Sequence, residues 1–130
     1  MRNLVFLAVV MLSACAQDIH VDGSTLTSSA TLALGRAIPA SDFSTTESVR
    51  FITRFSWPNV DTPGGLHQVD FRWFKDGVLI SHTHRVLSFT STPYSVFTNR
   101  SAASLGPGHF SVETDVDHLP VGTASFTVHA

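Results

Sequence analysis

Seven histidines in a chain of 130 residues pose the first chemical question, because neutral imidazole is the commonest metal-binding side chain. His82 and His84 lie two apart, which in a strand puts both on one face. The hairpin around Lys75-Asp76-Gly77 decides which face. If Asp76-Gly77 alone forms a two-residue turn, His82 opposes Phe71 and His84 opposes Val69, and both rings point into the core beside Trp73. If Lys75-Asp76-Gly77 is a three-residue loop with a left-handed Gly77, His82 opposes Asp70 and His84 opposes Gln68 on the outer face. The second register is preferred: it keeps two imidazoles out of the core and sets Leu79 opposite Trp73. Asp70, His82 and His84 then make a two- or three-ligand set for zinc or copper that needs one more ligand or a water. Without a metal, the same residues are a cross-strand Asp–His pair worth about 0.2–1 kcal/mol. Asp115, Asp117 and His118 form a second polar group near a turn, short of the oxygen ligands a calcium loop needs.

Arg50 and Arg54 share one face of a strand, and Arg72 can join them from a neighbour. Together they offer a grip for an anionic ligand or partner; alternatively they pair with Asp70 or Glu47 across the sheet. Local signatures of catalysis are missing. The chain has no Gly-x-Ser-x-Gly, and Gly64-Gly65 lacks the Lys/Ser that a phosphate loop would place after it. The expectation is a protein that is not an enzyme and carries no cofactor. A net charge of −2 shows no basic footprint, so no nucleic-acid partner is expected.

The elements that must hold these residues read as strands. Charged residues are 14% of the chain and hydrophobic ones 43%, enough apolar material for one core and one domain. Apolar residues recur with period two between turn signals, and no stretch keeps a helical period over three turns. Residues 31–38 make a first candidate strand, and Pro39 to Glu47 a polar loop. Strands follow over 49–57, 68–73, 78–89 (one long strand, or two with a break), 94–98, 109–116 and 122–129, with a helical turn across 99–105. Alternation sends Phe51, Phe55, Phe71, Trp73, Phe110, Phe126 and Val128 to the core, and puts Phe74 and Phe97 on the opposite phase. About seven strands joined by short polar turns predict an all-β antiparallel sandwich.

The N-terminus reads as an address. Arg2 precedes an apolar run from Leu4 to Leu12, the pattern of a signal peptide. At about 1.5 Å of rise per residue, that run falls well short of a roughly 30 Å bilayer core. Leu12-Ser13-Ala14-Cys15 resembles the bacterial lipobox, and Cys15 is the chain's one cysteine. The resemblance implies diacylglyceryl attachment to the Cys15 sulfur, cleavage before Cys15 and acylation of the new amino group. Ala16 stands where an aspartate would resemble an inner-membrane retention signal, which implies the outer membrane, facing the periplasm. Of eight Lys/Arg, Arg2 leaves with the signal, so seven remain against ten Asp/Glu. Residues 16–30 are polar and Ser/Thr-rich and read as a tether reaching roughly 20 Å; Ile19–Val21 could instead add a short strand. The expected organisation is a signal peptide over 1–14, a lipidated N-terminus and tether over 15–30, and a domain over 31–130.

The domain resembles the immunoglobulin-like fold. Trp73-Phe74-Lys75-Asp76-Gly77 looks like the strand-C tryptophan and its hairpin. Leu105-Gly106-Pro107-Gly108-His109-Phe110-Ser111-Val112 is similar to the turn leading into strand F, and residues 121–128 (VGTASFTV) to a closing strand. The likeness extends to uncharacterised bacterial envelope domains. The chain lacks the cysteine pair that joins strands B and F, and Phe110 stands where a corner tyrosine would. The combined expectation is a membrane-anchored envelope lipoprotein acting as a non-catalytic binding module on a protein partner, with copper or zinc binding as the alternative.

Overall fold

The computed structural model describes residues 18–28 and 38–130. Cys15, the apolar leader and most of the candidate strand over 31–38 lie outside the described residues. Among the described residues the order is β1 (His20–Ser28), β2 (Asp42–Ser44), β3 (Ser48–Ser56), β4 (Gly65–Lys75), β5 (Val78–Phe89), β6 (Tyr94–Ser101), α1 (Ala102–Leu105), β7 (Gly108–Val116) and β8 (Leu119–His129). They form two sheets, β1-β3-β6 and β2-β8-β7-β4-β5. Neighbouring strands run antiparallel, apart from the parallel β2–β8 pair.

The alternation predicted for β3 and β4 is what packs the sheets together. Val49, Phe51, Thr53 and Phe55 point inward from β3, and Val69, Phe71 and Trp73 from β4; all are buried. The aromatic set assigned to the core by phase is buried throughout. One cluster centres on Phe126, whose ring meets Phe43 and Trp73 edge-on at 5.6 and 5.9 Å and stacks on Phe110 at 5.3 Å. A second gathers Phe55, Trp57 and Tyr94 around Phe89. Between the clusters runs a short polar link, Ser24 Oγ to Thr53 Oγ1 at 2.9 Å and Thr53 to Thr114 at 3.4 Å. Here the sheets approach so closely that a Cβ on Gly122 would lie 2.2 Å from Ser24 Oγ.

Two segments differ from the sequence-based expectation. Residues 20–28 do not act as tether; they form β1, paired along β3 from Ser56 to Val49. The first five residues of β1 are exposed and only its last three are buried, so the strand shows no apolar alternation to read. The polar loop over 39–47 contains β2, which carries the fully buried Phe43. β6 also runs on to Ser101, leaving the helical turn just four residues, capped by Ser101 Oγ accepting from Ser104 N at 3.3 Å.

The β4–β5 hairpin adopts neither predicted register. Asp76 (φ 48°) and Gly77 (φ 80°) are both left-handed, a two-residue primed turn, and Lys75 faces Val78. The next pairs are Phe74 with Leu79 and Trp73 with Ser81, so Ile80 is an extra, bulged residue. Beyond the bulge His82 faces Arg72 and His84 faces Asp70. The imidazoles therefore reach the outer face through a bulge rather than through a three-residue loop, and Ser81 rather than Leu79 lies opposite Trp73.

Because β1 is part of the sandwich, Leu26→Ala should open a cavity beside Val49 and Phe51 and cost about 2–5 kcal/mol. Urea denaturation of the variant checks this; an unchanged midpoint would return the segment to a tether.

Candidate functional site

The outer face of the five-stranded sheet carries a row of charged and polar side chains. His82 Nε2 and His84 Nδ1 both lie on Asp70 Oδ1, at 2.8 and 2.9 Å. An ionised carboxylate only accepts, so each ring donates from that nitrogen. Asp70 is 4% exposed. Burial raises its carboxyl, but the hydrogen bonds and charge of His82 and His84 together outweigh that and hold it below the ordinary range. On the other side of β4, Asp70 faces Asp115 and Arg72 faces Glu113. Arg72 Nη1 donates to Asp115 Oδ2 and lies 4.0 Å from Glu113 Oε2. Among the described residues, Asp115 Oδ1 is buried without a hydrogen-bond partner. Burial and the Asp115 charge push the Glu113 carboxyl up, with Arg72 partly opposing them.

The predicted trio of Asp70, His82 and His84 is thus brought together, with both rings spending a nitrogen on a single oxygen. Among the described residues, no group of three or more His, Cys, Asp or Glu is arranged to hold a metal ion. Asp117 and His118 are the left-handed pair of the β7–β8 turn. Asp117 accepts from Gln68 N at 3.0 Å and meets His67 Nδ1 at 2.6 Å, tying the turn to β4. Asp115 belongs instead to the Arg72 network.

The predicted arginine group is not assembled. Arg50 and Arg54 lie on the outer face of the three-stranded sheet, and Arg72 on the outer face of the other sheet. Arg50 donates to Asn99 Oδ1 at 2.6 Å and covers Phe97, its guanidinium 4.5 Å from the ring centre. Arg54 lies 3.6 Å from Asp22. Each arginine therefore has a local partner, different from the Asp70 or Glu47 expected. Phe97 is about half exposed, as its phase predicted, with Arg50 over it.

A different pair of arginines lines a concavity between the two sheets. Between the free edges of β5 and β6 runs a cleft of about 460 Å³, within the range of ligand pockets. Residues 94–100 of β6 form one wall, and Thr83, Arg85 and Leu87 of β5 face it. Phe71 also lines it. Near one end, Tyr94 stacks on Phe89 at 4.6 Å. Near the other, Arg100 donates to Ser81 Oγ. No residue pattern marks Arg85 and Arg100, because they come from strands in different sheets and share a cleft only when the sandwich closes.

No protein-family model matches the chain, and no curated relative is found. Solved structures match its shape. An alkylpurine DNA glycosylase from Pseudomonas fluorescens superposes with a TM-score of 0.57 at 12% identity over 92% of this chain. The chain spans only 32% of that glycosylase. An immunoglobulin-like protein from Pseudomonas aeruginosa gives 0.52 at 12% identity, over 88% of this chain and 99% of its own. A CARDB domain from Pyrococcus furiosus gives 0.50 at 10% identity, over 87% and 94%. At such identities the likeness is one of fold. The chain is an all-β, immunoglobulin-like sandwich.

The two shifted carboxyls give opposite pH dependences. Asp70, held low, stabilises the fold above its unfolded-state value near 4, and the contribution is lost as pH falls through the folded value. Asp70→Asn should therefore lower the thermal midpoint at pH 7, with the deficit shrinking below about pH 4. Glu113, held high, costs stability once ionised. Glu113→Gln should raise the midpoint at pH 7, and the gain should vanish below about pH 4. Melting curves between pH 3 and 8 check both signs.

Proposed function

We propose that the chain is a bacterial envelope lipoprotein whose sandwich is a non-catalytic binding module for a protein partner. In this reading Cys15 carries the lipid anchor, the module sits at the outer membrane, and the cleft faces the periplasm. The observation that carries the binding role is the β5–β6 cleft itself. It offers what recognition uses: two guanidinium groups, hydroxyl and amide side chains, aromatic rings and two strand edges. The lipobox at residues 12–15 supports the anchor, since two or three acyl chains hold a protein stably where one does not. The immunoglobulin-like fold fits a binding role but does not choose the ligand. With β1 starting at His20, the spacer left after Cys15 is short, and the module would ride close to the bilayer.

Two measurements test this. Cys15→Ala should move the protein from the membrane pellet to the soluble fraction and abolish incorporation of labelled fatty acid. A variant that still pellets and still labels ends the anchor proposal. A photo-crosslinking side chain at Thr83, inside the cleft, should capture one stoichiometric envelope protein in intact cells, whereas the same group at Ser88 should not. Recovery of uncrosslinked protein from both positions would overturn the binding role of the cleft.

A further inference from the structure

A strand at the edge of a sheet presents unpaired N–H and C=O groups, and proteins usually blunt it with short length, bulges, proline or charge. Among the described strands, β1, β6, β2 and β5 stand at edges. β2 has three residues. β1 carries a bulge between Val21 and Gly23, and β5 carries the one at Ile80. β6 has no such protection. It pairs with β3 over eight consecutive residues without a register shift, contains neither proline nor glycine, and has Arg100 as its one charged residue. Its free edge opens on the cleft.

We propose that this edge accepts an extended segment of another protein as an added strand, and that Arg85 reads a carboxylate on that segment. The inference rests on the binding-module reading and names its site and ligand. Seven residues of β6 line the cleft, a track about 20 Å long for main-chain pairing. An added strand would widen the three-stranded sheet to four and present alternate side chains to Thr83, Arg85 and Leu87. The charge preference follows from the lining. Arg85 and Arg100 are its two charged residues, and no carboxylate lines it. Arg100 is engaged with Ser81, whereas Arg85 is exposed and, among the described residues, makes no hydrogen bond or ion pair. In a chain of net charge −2, this positive slot is a local exception. A second copy of β6 fits poorly, because its segment YSVFTNRS brings another arginine and no carboxylate.

Fluorescence anisotropy on the full chain in detergent tests the proposal with three ten-residue probes. The first alternates valine and threonine with two glutamates; the second replaces the glutamates with lysines; the third is the glutamate peptide N-methylated at alternate amides, in both phases. The glutamate peptide should bind, and the lysine peptide and the N-methylated peptide in the one phase that blocks the pairing amides should bind at least about tenfold more weakly. Arg85→Glu should reverse the order of the first two while leaving the melting temperature within a degree or so, as expected for an exposed side chain without partners. Equal affinity for both charges, or indifference to N-methylation in both phases, would overturn the proposal. So would a concentration-dependent dimer that excludes all three peptides, which would make a second copy the occupant. If no peptide binds while the Thr83 crosslinker still captures a partner, strand addition fails and the binding-module reading survives.

Discussion

Three strands cannot cover five. Strands in a sheet lie about 4.8 Å apart, so among the described residues the β1-β3-β6 sheet leaves roughly two strand widths of the larger sheet's inner face without a partner layer. At one side the deficit is handled by reduction: β2 is three residues long and buries Phe43 against Phe126. At the other side nothing equivalent occurs. β5 runs for twelve residues, and its inward positions Thr83, Arg85 and Leu87 look across at the edge of β6 rather than at its face. The cleft is the geometric remainder of this mismatch. It is held open by two unlike contacts, the Tyr94–Phe89 stack and the Arg100–Ser81 hydrogen bond, so the edges of the two sheets neither close together nor drift apart.

The same economy explains the outer polar row. β4 is central in its sheet, so Asp70 and Arg72 have neighbours on both sides, and a charge there loses water to the flanking side chains. The structure answers with proximity: two imidazoles for Asp70, one guanidinium for Asp115 and Glu113. The balance is uneven. Two carboxylates, Asp115 and Glu113, share one permanent cation, and among the described residues Asp115 Oδ1 is left without a partner. Burial first, and then the Asp115 charge beside it, moves the Glu113 carboxyl up, while Asp70, which has both histidines, moves down despite its burial. The row works as a set of cross-strand pairs and holds the register of β5, β4 and β7.

The parts legible in the sequence were those with a buried face. Phe51, Phe55, Phe71, Trp73, Phe110 and Phe126 could be placed inward because alternation records burial directly, and the outward phase of Phe97 followed from the same rule. Illegible were elements whose stabilisation comes from only one or two inward residues. β1 buries just its last three residues, and β2 depends on Phe43 alone, so neither repeats often enough to show a period. The trio of Asp70, His82 and His84 was legible as a group because a one-residue change of register moves whole faces, and only an outward face spares two imidazoles from the core. The arginine group failed for a complementary reason. Phase along a strand tells inside from outside, but it does not tell which of two sheets a strand joins, and Arg50 and Arg72 ended on opposite surfaces.

One residue connects the polar row to the cleft. Without the bulge at Ile80, the turn at Asp76-Gly77 would set His82 opposite Phe71 and His84 opposite Val69, and every later residue of β5 would change faces. The imidazoles would then line the cleft, and Arg85 would stand on the outer surface near Asp70. The bulge exchanges the two sets. It gives Asp70 its two hydrogen-bond donors and gives the cleft its unpaired guanidinium in a single step. It also kinks the exposed edge of β5, which discourages pairing there and leaves β6 as the regular edge beside the slot. The outer charge network, the charge of the cleft and the choice of edge are therefore not three independent features of the surface. They are consequences of one extra residue in one strand, which is why substitutions that keep Ile80 apolar but remove the bulge would alter all three together.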